Sequence, residues 1–331
     1  MIDAREQLTA WMHDGVLPRG KFGTALRIAG VTPAPAQWRT FAERMLVWMG
    51  MILVAAAAAC FIAANWHALG RYGKFALVEA ALAAAIGVVC WRGLDDVAGR
   101  AALFAGAMVT GVLLALVGQV YQTGADTFEL FAGWAVCIVP WAVVGRQPAL
   151  WMLVVALADL AVVMYFRLNV ARGLDTLDMI FASRLSVWCV TAVNAGALIA
   201  WEVASAWRNG WWSVRWAPRL LASAVGAALV FLAVQYVVGW WGKPGVEGFA
   251  GYVAFAAAML WAYRVRTIDV FMLAGLVLSA IIVGVAVFAK WVGPANGMLA
   301  YLAIGVFIIA CASAGARWLR ALPDNAREVP T

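Results

Sequence analysis

Residues 101–126 read AALFAGAMVTGVLLALVGQVYQTGAD. The first part is apolar for about 18 residues, within the range of roughly 17–25 that a helix needs to cross a bilayer. From Gly118 to Asp126 the character changes to Gly118-Gln119-Val120-Tyr121-Gln122-Thr123-Gly124-Ala125-Asp126. Asp126 and Glu129 then stand three apart, the spacing of an N-cap and its N3 partner at a new helix start. The stretch is therefore a helix end, a tight polar turn and a helix beginning, and it makes the chain a succession of membrane helices.

Working outward, further apolar runs of spanning length lie on both sides. Ten spans are expected, at about 45–64, 74–91, 101–120, 130–145, 149–166, 184–201, 219–238, 249–263, 268–289 and 297–316. The fourth and eighth are short and the joint at Arg146–Pro148 is tight, so nine or eleven are the alternatives. The expected fold is all-α: a polytopic bundle of about ten helices over 45–316, a cytoplasmic helical hairpin over 1–44 and a cytoplasmic tail over 317–331. In the hairpin, Leu8, Trp11, Met12 and Val16 recur at helical spacing. Gly15 and Pro18 break the pattern, and Phe22, Leu26 and Ala29 resume it. A third helix from about Ala36, with Trp38, Phe41 and Met45 on one face, runs into the first span. No signal peptide is visible before the first long apolar run near Met45, so insertion by the chain's own spans is expected.

Composition agrees. Apolar residues make up 66% of the 331 and charged residues 12%, against about 45–50% and 25% in soluble domains. Nineteen Trp and seven Tyr suit the membrane–water interface. The +7 net charge is better spent on topology than on nucleic acid, which is not expected as a partner. With the N-terminus inside, the inner segments hold 17 of the 24 Lys and Arg and the outer loops 7. Both termini are therefore expected on the cytoplasmic side of a bacterial inner membrane. The five cysteines all fall in apolar runs without C-x-x-C spacing, and there are two histidines. Neither a disulfide framework nor a metal site is expected, and no cofactor.

Charged side chains at a span's centre cost about 2.5–3.5 kcal/mol on insertion scales, so each polar residue there needs a reason. Four stand out: Asp159, Glu79, Asn194 and Gln235. Asp159 is either a proton-carrying carboxyl or a paired anchor. Glu79, five residues from Lys74, either reaches outward or pairs across a turn. Asn194 and Gln235 suit hydrogen bonds between helices. Runs of small residues at Ala55–Ala59 and Ala80–Ala85 are expected to pack helices closely.

A second polar turn runs Ala63-Ala64-Asn65-Trp66-His67-Ala68-Leu69-Gly70-Arg71-Tyr72-Gly73-Lys74-Phe75. In the expected threading both turns face outward, where Asn65, Trp66, Lys74, Gln119, Tyr121, Gln122 and Asp126 could form a shallow mouth. The same residues could instead close helix ends and meet headgroups. On the inner side, Trp201, Trp207, Trp211, Trp212 and Trp216 alternate with Arg208 and Arg215. This composition points to anionic lipid at Trp207, Arg208, Trp211, Trp212 and Arg215, or to a partner protein.

The Asn65-Trp66 turn and the Gly118–Asp126 turn resemble, as a pair, the signatures of a bacterial family of predicted membrane proteins catalogued as domain of unknown function 2157. The Trp134, Pro140 and Trp141 pattern after the second turn and the Trp11, Gly15, Val16, Leu17 pattern near the start are similar to the same family. The resemblance covers about residues 8–155, with the membrane part of it from 45, and implies no activity. The expected function is a non-enzymatic membrane scaffold or sensor, with residues 1–44 as a protein-docking segment. The alternative is an ion-coupled permease using the intramembrane carboxylates.

Overall fold

A computed structural model describes residues 4–32, 35–65, 68–169, 184–207, 210–239, 245–266, 268–293 and 297–322. Twelve α-helices are present among them, and no strand. In chain order they are α1 (Ala4–His13), α2 (Phe22–Ile28), α3 (Pro35–Ala64), α4 (Arg71–Arg92), α5 (Val97–Tyr121) and α6 (Thr127–Gly145). Then follow α7 (Pro148–Asn169), α8 (Arg184–Trp207), α9 (Trp216–Val238), α10 (Val246–Trp261), α11 (Val270–Val292) and α12 (Gly297–Arg320). The chain divides into two compact units, Met1–Gly124 and Ala125–Thr331.

Among the described residues nine helices, α4 to α12, are long and apolar enough to cross a membrane. The expected first span is the second part of the 30-residue α3, where Met45 to Ala64 carries no charge. Each expected span coincides with one helix. On these helices large apolar side chains stay open, among them Leu53, Val136, Leu278 and Leu302 at 59–71% exposure. Such surfaces need a hydrocarbon surrounding.

In the first unit, α1 and α2 form the expected small hairpin, in which Leu8 and Leu26 alone are buried among the described residues. The helix ends at His13, so Val16, expected on its apolar face, lies beyond it and is open to solvent. α4 and α5 run antiparallel around Val78, Val109 and Leu116. The small residues that let α5 pack closely are Ala101, Ala102, Ala105, Gly106, Ala107 and Gly111, all buried. Of the runs expected to pack closely, Ala55–Ala59 and Ala80–Ala85, Ala81 does pack against this core, while others do not. Ala56, Ala57, Ala80, Ala83 and Ala84 are exposed, because α5 and not α3 or α4 is the helix enclosed by neighbours on several sides.

In the second unit, α9 is central. One apolar cluster joins Leu198 of α8, Leu221 of α9, Met259 of α10 and Met272 and Leu273 of α11. Another joins Val187 of α8, Leu229 and Leu232 of α9, Tyr252 of α10 and Val283 of α11. α10 approaches closely through glycine: a β-carbon at Gly248 would sit 2.9 Å from Leu232 Cβ, and one at Gly251 would sit 2.7 Å from Trp188 Cη2. α10 ends in a π-helical turn, Ala262–Arg266, a local widening often found at functional positions.

Candidate functional site

Three polar arrangements stand out, one in the first unit and two in the second. In the first unit the end of α5 and the start of α4 lie together. Gln122 closes α5 in the left-handed region (φ 48°), its N–H donating to the Gly118 carbonyl. Tyr121, exposed, stands with its ring centroid 6.0 Å from that of Phe75 and 5.9 Å from the Arg71 guanidinium carbon. Arg71, Tyr72, Phe75, Glu79, Val117 and Tyr121 line an open groove of about 530 Å³. Glu79 is exposed along this groove.

The expected outer mouth is brought together only in part. Tyr121 joins the start of the fourth helix, and Gln119 and Gln122 are exposed near it. Lys74 is instead buried, so its side chain turns into the protein and lies in neither the expected mouth nor the headgroup layer. Asn65 caps its own helix, its Nδ2 donating to the Phe61 carbonyl at 2.9 Å while its carbonyl accepts from Ala68 and Leu69. Trp66 lies outside the described residues. Asp126 belongs to the second unit, where it forms the expected capping box of α6, with its N–H donating to Glu129 Oε2 at 3.1 Å.

Within the second unit, two of the four intramembrane polar residues meet. Asn194 Nδ2 of α8 donates to Asp159 Oδ2 of α7 at 2.8 Å and to the Val190 carbonyl at 2.9 Å. Thirty-five positions apart in sequence, they form the interhelical bond expected for Asn194, and its acceptor is the Asp159 carboxylate. Asp159 Oδ1 is buried without a hydrogen-bond partner among the described residues, and so is Gln235 Oε1. The expected interhelical bond is thus present for Asn194, while the Gln235 carbonyl oxygen lacks one among the described residues.

The third arrangement was not foreseen. At the end of the unit where α9 and α11 begin, five side chains from four elements close on one another. Asp269 is 2% exposed. Its Oδ1 caps α11, accepting from the Phe271 and Met272 N–H groups, and its Oδ2 accepts from Arg215 Nη2 and Arg219 Nε, each at 3.2 Å. Arg215 Nη1 reaches both carboxylate oxygens of Glu202, at 3.3 and 3.4 Å. The π-helical turn carries Tyr263 to the same carboxylate, and its hydroxyl donates to Glu202 Oε1 at 2.7 Å. Two arginines face two carboxylates, so the cluster is neutral and each charge is held by hydrogen bonds, the condition under which burial of charge is tolerated.

Burial would lower the pKa of the Arg215 guanidinium, but the neighbouring Glu202 and Asp269 carboxylates outweigh it and the pKa rises. Arg215 is therefore charged throughout the working range. Sequence reasoning noticed Arg215 but missed Glu202, Arg219, Tyr263 and Asp269. The signal was there in Asp269 two residues before Phe271 at a helix start, an N-cap pattern.

Beside this cluster the tryptophans of the loop pack on the protein. Trp201 is 3% exposed and donates through Nε1 to the Trp212 carbonyl at 3.1 Å. Trp211 and Trp212 stack with centroids 3.8 Å apart. Of the residues expected to meet lipid, Arg215 instead pairs with Glu202 and Asp269, while Trp211 and Trp212 are half-buried and stack on each other. Trp207 remains 83% exposed, and Arg208 lies outside the described residues.

Tyr263→Phe removes one donor from a carboxylate that keeps Arg215. Hydrogen bonds to charged groups contribute about 1.5–3 kcal/mol, and the remaining arginine places the expected loss near the lower end. Thermal unfolding of the detergent-purified chain measures it; a midpoint equal to that of the unsubstituted chain would show that the hydroxyl contributes nothing.

Among known proteins, residues 9–151 match the family model described as a predicted membrane protein, DUF2157. The match bears out the resemblance read from the two turns and, with the apolar helices, makes this a multi-pass protein in contact with a lipid bilayer. No curated protein and no solved structure matches the chain.

Proposed function

We propose that this chain, with its DUF2157 region over residues 9–151, is a non-enzymatic scaffold or sensor of the bacterial inner membrane, with both termini cytoplasmic. The observation that carries the reading is the neutral cluster of Glu202, Arg215, Arg219, Tyr263 and Asp269, in which charged groups at a membrane face are bonded to one another. Such groups hold helix ends together, and both carboxylates are already engaged by the two arginines and the Tyr263 hydroxyl. The N-terminal hairpin supports the docking half of the reading. It buries Leu8 and Leu26 but leaves Trp11, Val16 and Ile28 at 50–83% exposure, apolar area that a protein partner would cover.

The permease reading has one specific observation in its favour, the buried Asp159 Oδ1 without a donor among the described residues. A carboxyl with one bonded and one unsatisfied oxygen suits a site that takes up a proton. The bond to Asn194 favours the anchor, since it fixes the carboxylate between two helices.

Two measurements separate these readings. Chemical crosslinking in native membranes is expected to give a partner adduct with the full chain that is lost on Trp11→Glu together with Ile28→Glu. Reconstituted vesicles are expected to show no proton flux above protein-free vesicles. Flux that disappears with Asp159→Asn would overturn the scaffold in favour of the permease, and an adduct unchanged by the double substitution would remove the docking role of the hairpin.

A further inference from the structure

α9 and α11 both begin at the end that carries the ion cluster, and between them runs an apolar groove of about 220 Å³. Ser223, Gly226 and Val230 form one wall, Met272, Gly275 and Ser279 the other, and Phe255 of α10 contributes to the lining. Its polar atoms are already engaged. Ser223 Oγ donates to the Arg219 carbonyl at 2.8 Å, and Ser279 Oγ donates to the Leu276 carbonyl at 2.7 Å. The groove therefore asks for hydrocarbon.

Its lining runs from Phe271 to Ile282 along α11, about 17 Å at 1.5 Å per residue. One leaflet of a bilayer is about 15 Å of hydrocarbon, half of the roughly 30 Å core. The groove has the depth of a single acyl chain. A helix, about 10–12 Å across with its side chains, would need several times the groove's volume of about 220 Å³ over that length.

What stands at the mouth completes the site. Arg219 lies one turn before Ser223, its guanidinium carbon 5.5 Å from the ring centroid of Phe271, which itself lines the groove. It pairs with Asp269 through Nε, and its side chain is 31% exposed, which leaves the outer edge of a planar guanidinium for phosphate oxygens. Trp216, three positions earlier on the same helix face and 45% exposed, marks the headgroup level where tryptophan rings settle.

We propose that this groove is a binding site for an anionic phospholipid of the leaflet at which α9 and α11 begin. One acyl chain lies between the two helices and the phosphate rests on Arg219. In the proposed orientation this is the cytoplasmic leaflet. The assignment rests on the chain crossing the membrane and is independent of whether it acts as a scaffold or a permease. It also moves lipid recognition from the tryptophan loop to the first turn of α9.

Native mass spectrometry of the full chain, delipidated and then titrated with phosphatidylglycerol or phosphatidylcholine of the same acyl chains, tests it. One tightly retained phosphatidylglycerol is expected, held better than phosphatidylcholine. Gly275→Leu fills open space in the groove without touching the ion cluster, since a β-carbon there meets nothing within 4 Å. It is expected to weaken retention of both lipids roughly tenfold or more, the equivalent of two buried methylenes. Arg219→Gln is expected to abolish the preference between headgroups. Unchanged retention in Gly275→Leu overturns the site, and equal retention of the two lipids by the unsubstituted chain overturns its anionic selectivity. A dimer that Gly275→Leu dissolves, with lipid retention unaltered, would assign the groove to a second copy instead.

Discussion

Asp269→Ala is expected to destabilise the second unit by about 3–5 kcal/mol, the range for removing one partner of a buried ion pair. Three things are lost at once. Arg215 and Arg219 each lose the carboxylate oxygen 3.2 Å away, and both arginine side chains are less than a third exposed, so water replaces it poorly. The first turn of α11 loses the acceptor for Phe271 and Met272 N–H, a cap whose removal alone costs about 1 kcal/mol. Asp269→Asn separates the contributions. Its side-chain oxygen can still cap the helix while the charge is gone, so an intermediate loss is expected. The measurement is chemical or thermal unfolding in a fixed detergent, with folded yield recorded alongside. Asp269→Ala within about 1 kcal/mol of the unsubstituted chain would mean that the cluster contributes little beyond its cap.

The same cluster shows where sequence reading stops. The spans were legible because hydrophobic length is a local property: Arg71–Arg92, Val97–Tyr121 and Val270–Val292 each announce themselves within one window. The Asp126–Glu129 capping box was legible for the same reason, since both partners lie in one turn of chain. Glu202, Arg215 and Asp269 are separated by 13 and 54 positions, and nothing local says that their helix ends converge. Composition alone assigned the tryptophans and Arg215 of that loop to lipid, because an arginine bonded to a distant carboxylate and one bonded to a phosphate look identical in sequence. Asp159 and Asn194 were each recognisable as polar residues in hydrocarbon; an interhelical bond was legible for Asn194, while Asp159 read equally as a proton carrier or a paired anchor. That the partner was the other followed only once α7 and α8 were seen to pack.

Glycines tell the same story in the first unit, where Gly99→Ala is the second large expected effect. Gly99 is buried in the first turn of α5, and a β-carbon on it would overlap the Gly93 carbonyl oxygen and stand 3.0 Å from the carbonyl carbon. These are backbone atoms and cannot rotate aside. Gly93 ends α4 at φ 76° and ψ 170°, a conformation that is essentially glycine's alone, so the carbonyl cannot swing without leaving it. The turn is further tied by Arg100 Nε donating to the Leu94 carbonyl at 2.7 Å. Relief must therefore come from parting α4 and α5 at this end, where overpacking costs about 1–3 kcal/mol. Gly87→Ala on α4 is the matched comparison. A β-carbon there meets nothing within 4 Å, and exchange of a helical glycine for alanine is expected to be neutral or to stabilise by up to about 1 kcal/mol. Unfolding midpoints of the two variants in the same detergent should move in opposite directions or, at the least, differ by the clash. Limited proteolysis should cut 93–96 faster in Gly99→Ala alone. Equal midpoints with an unchanged cleavage rate would mean that the α4–α5 turn yields to a methyl group, and that the close approach at Gly93 does not fix how the two helices meet.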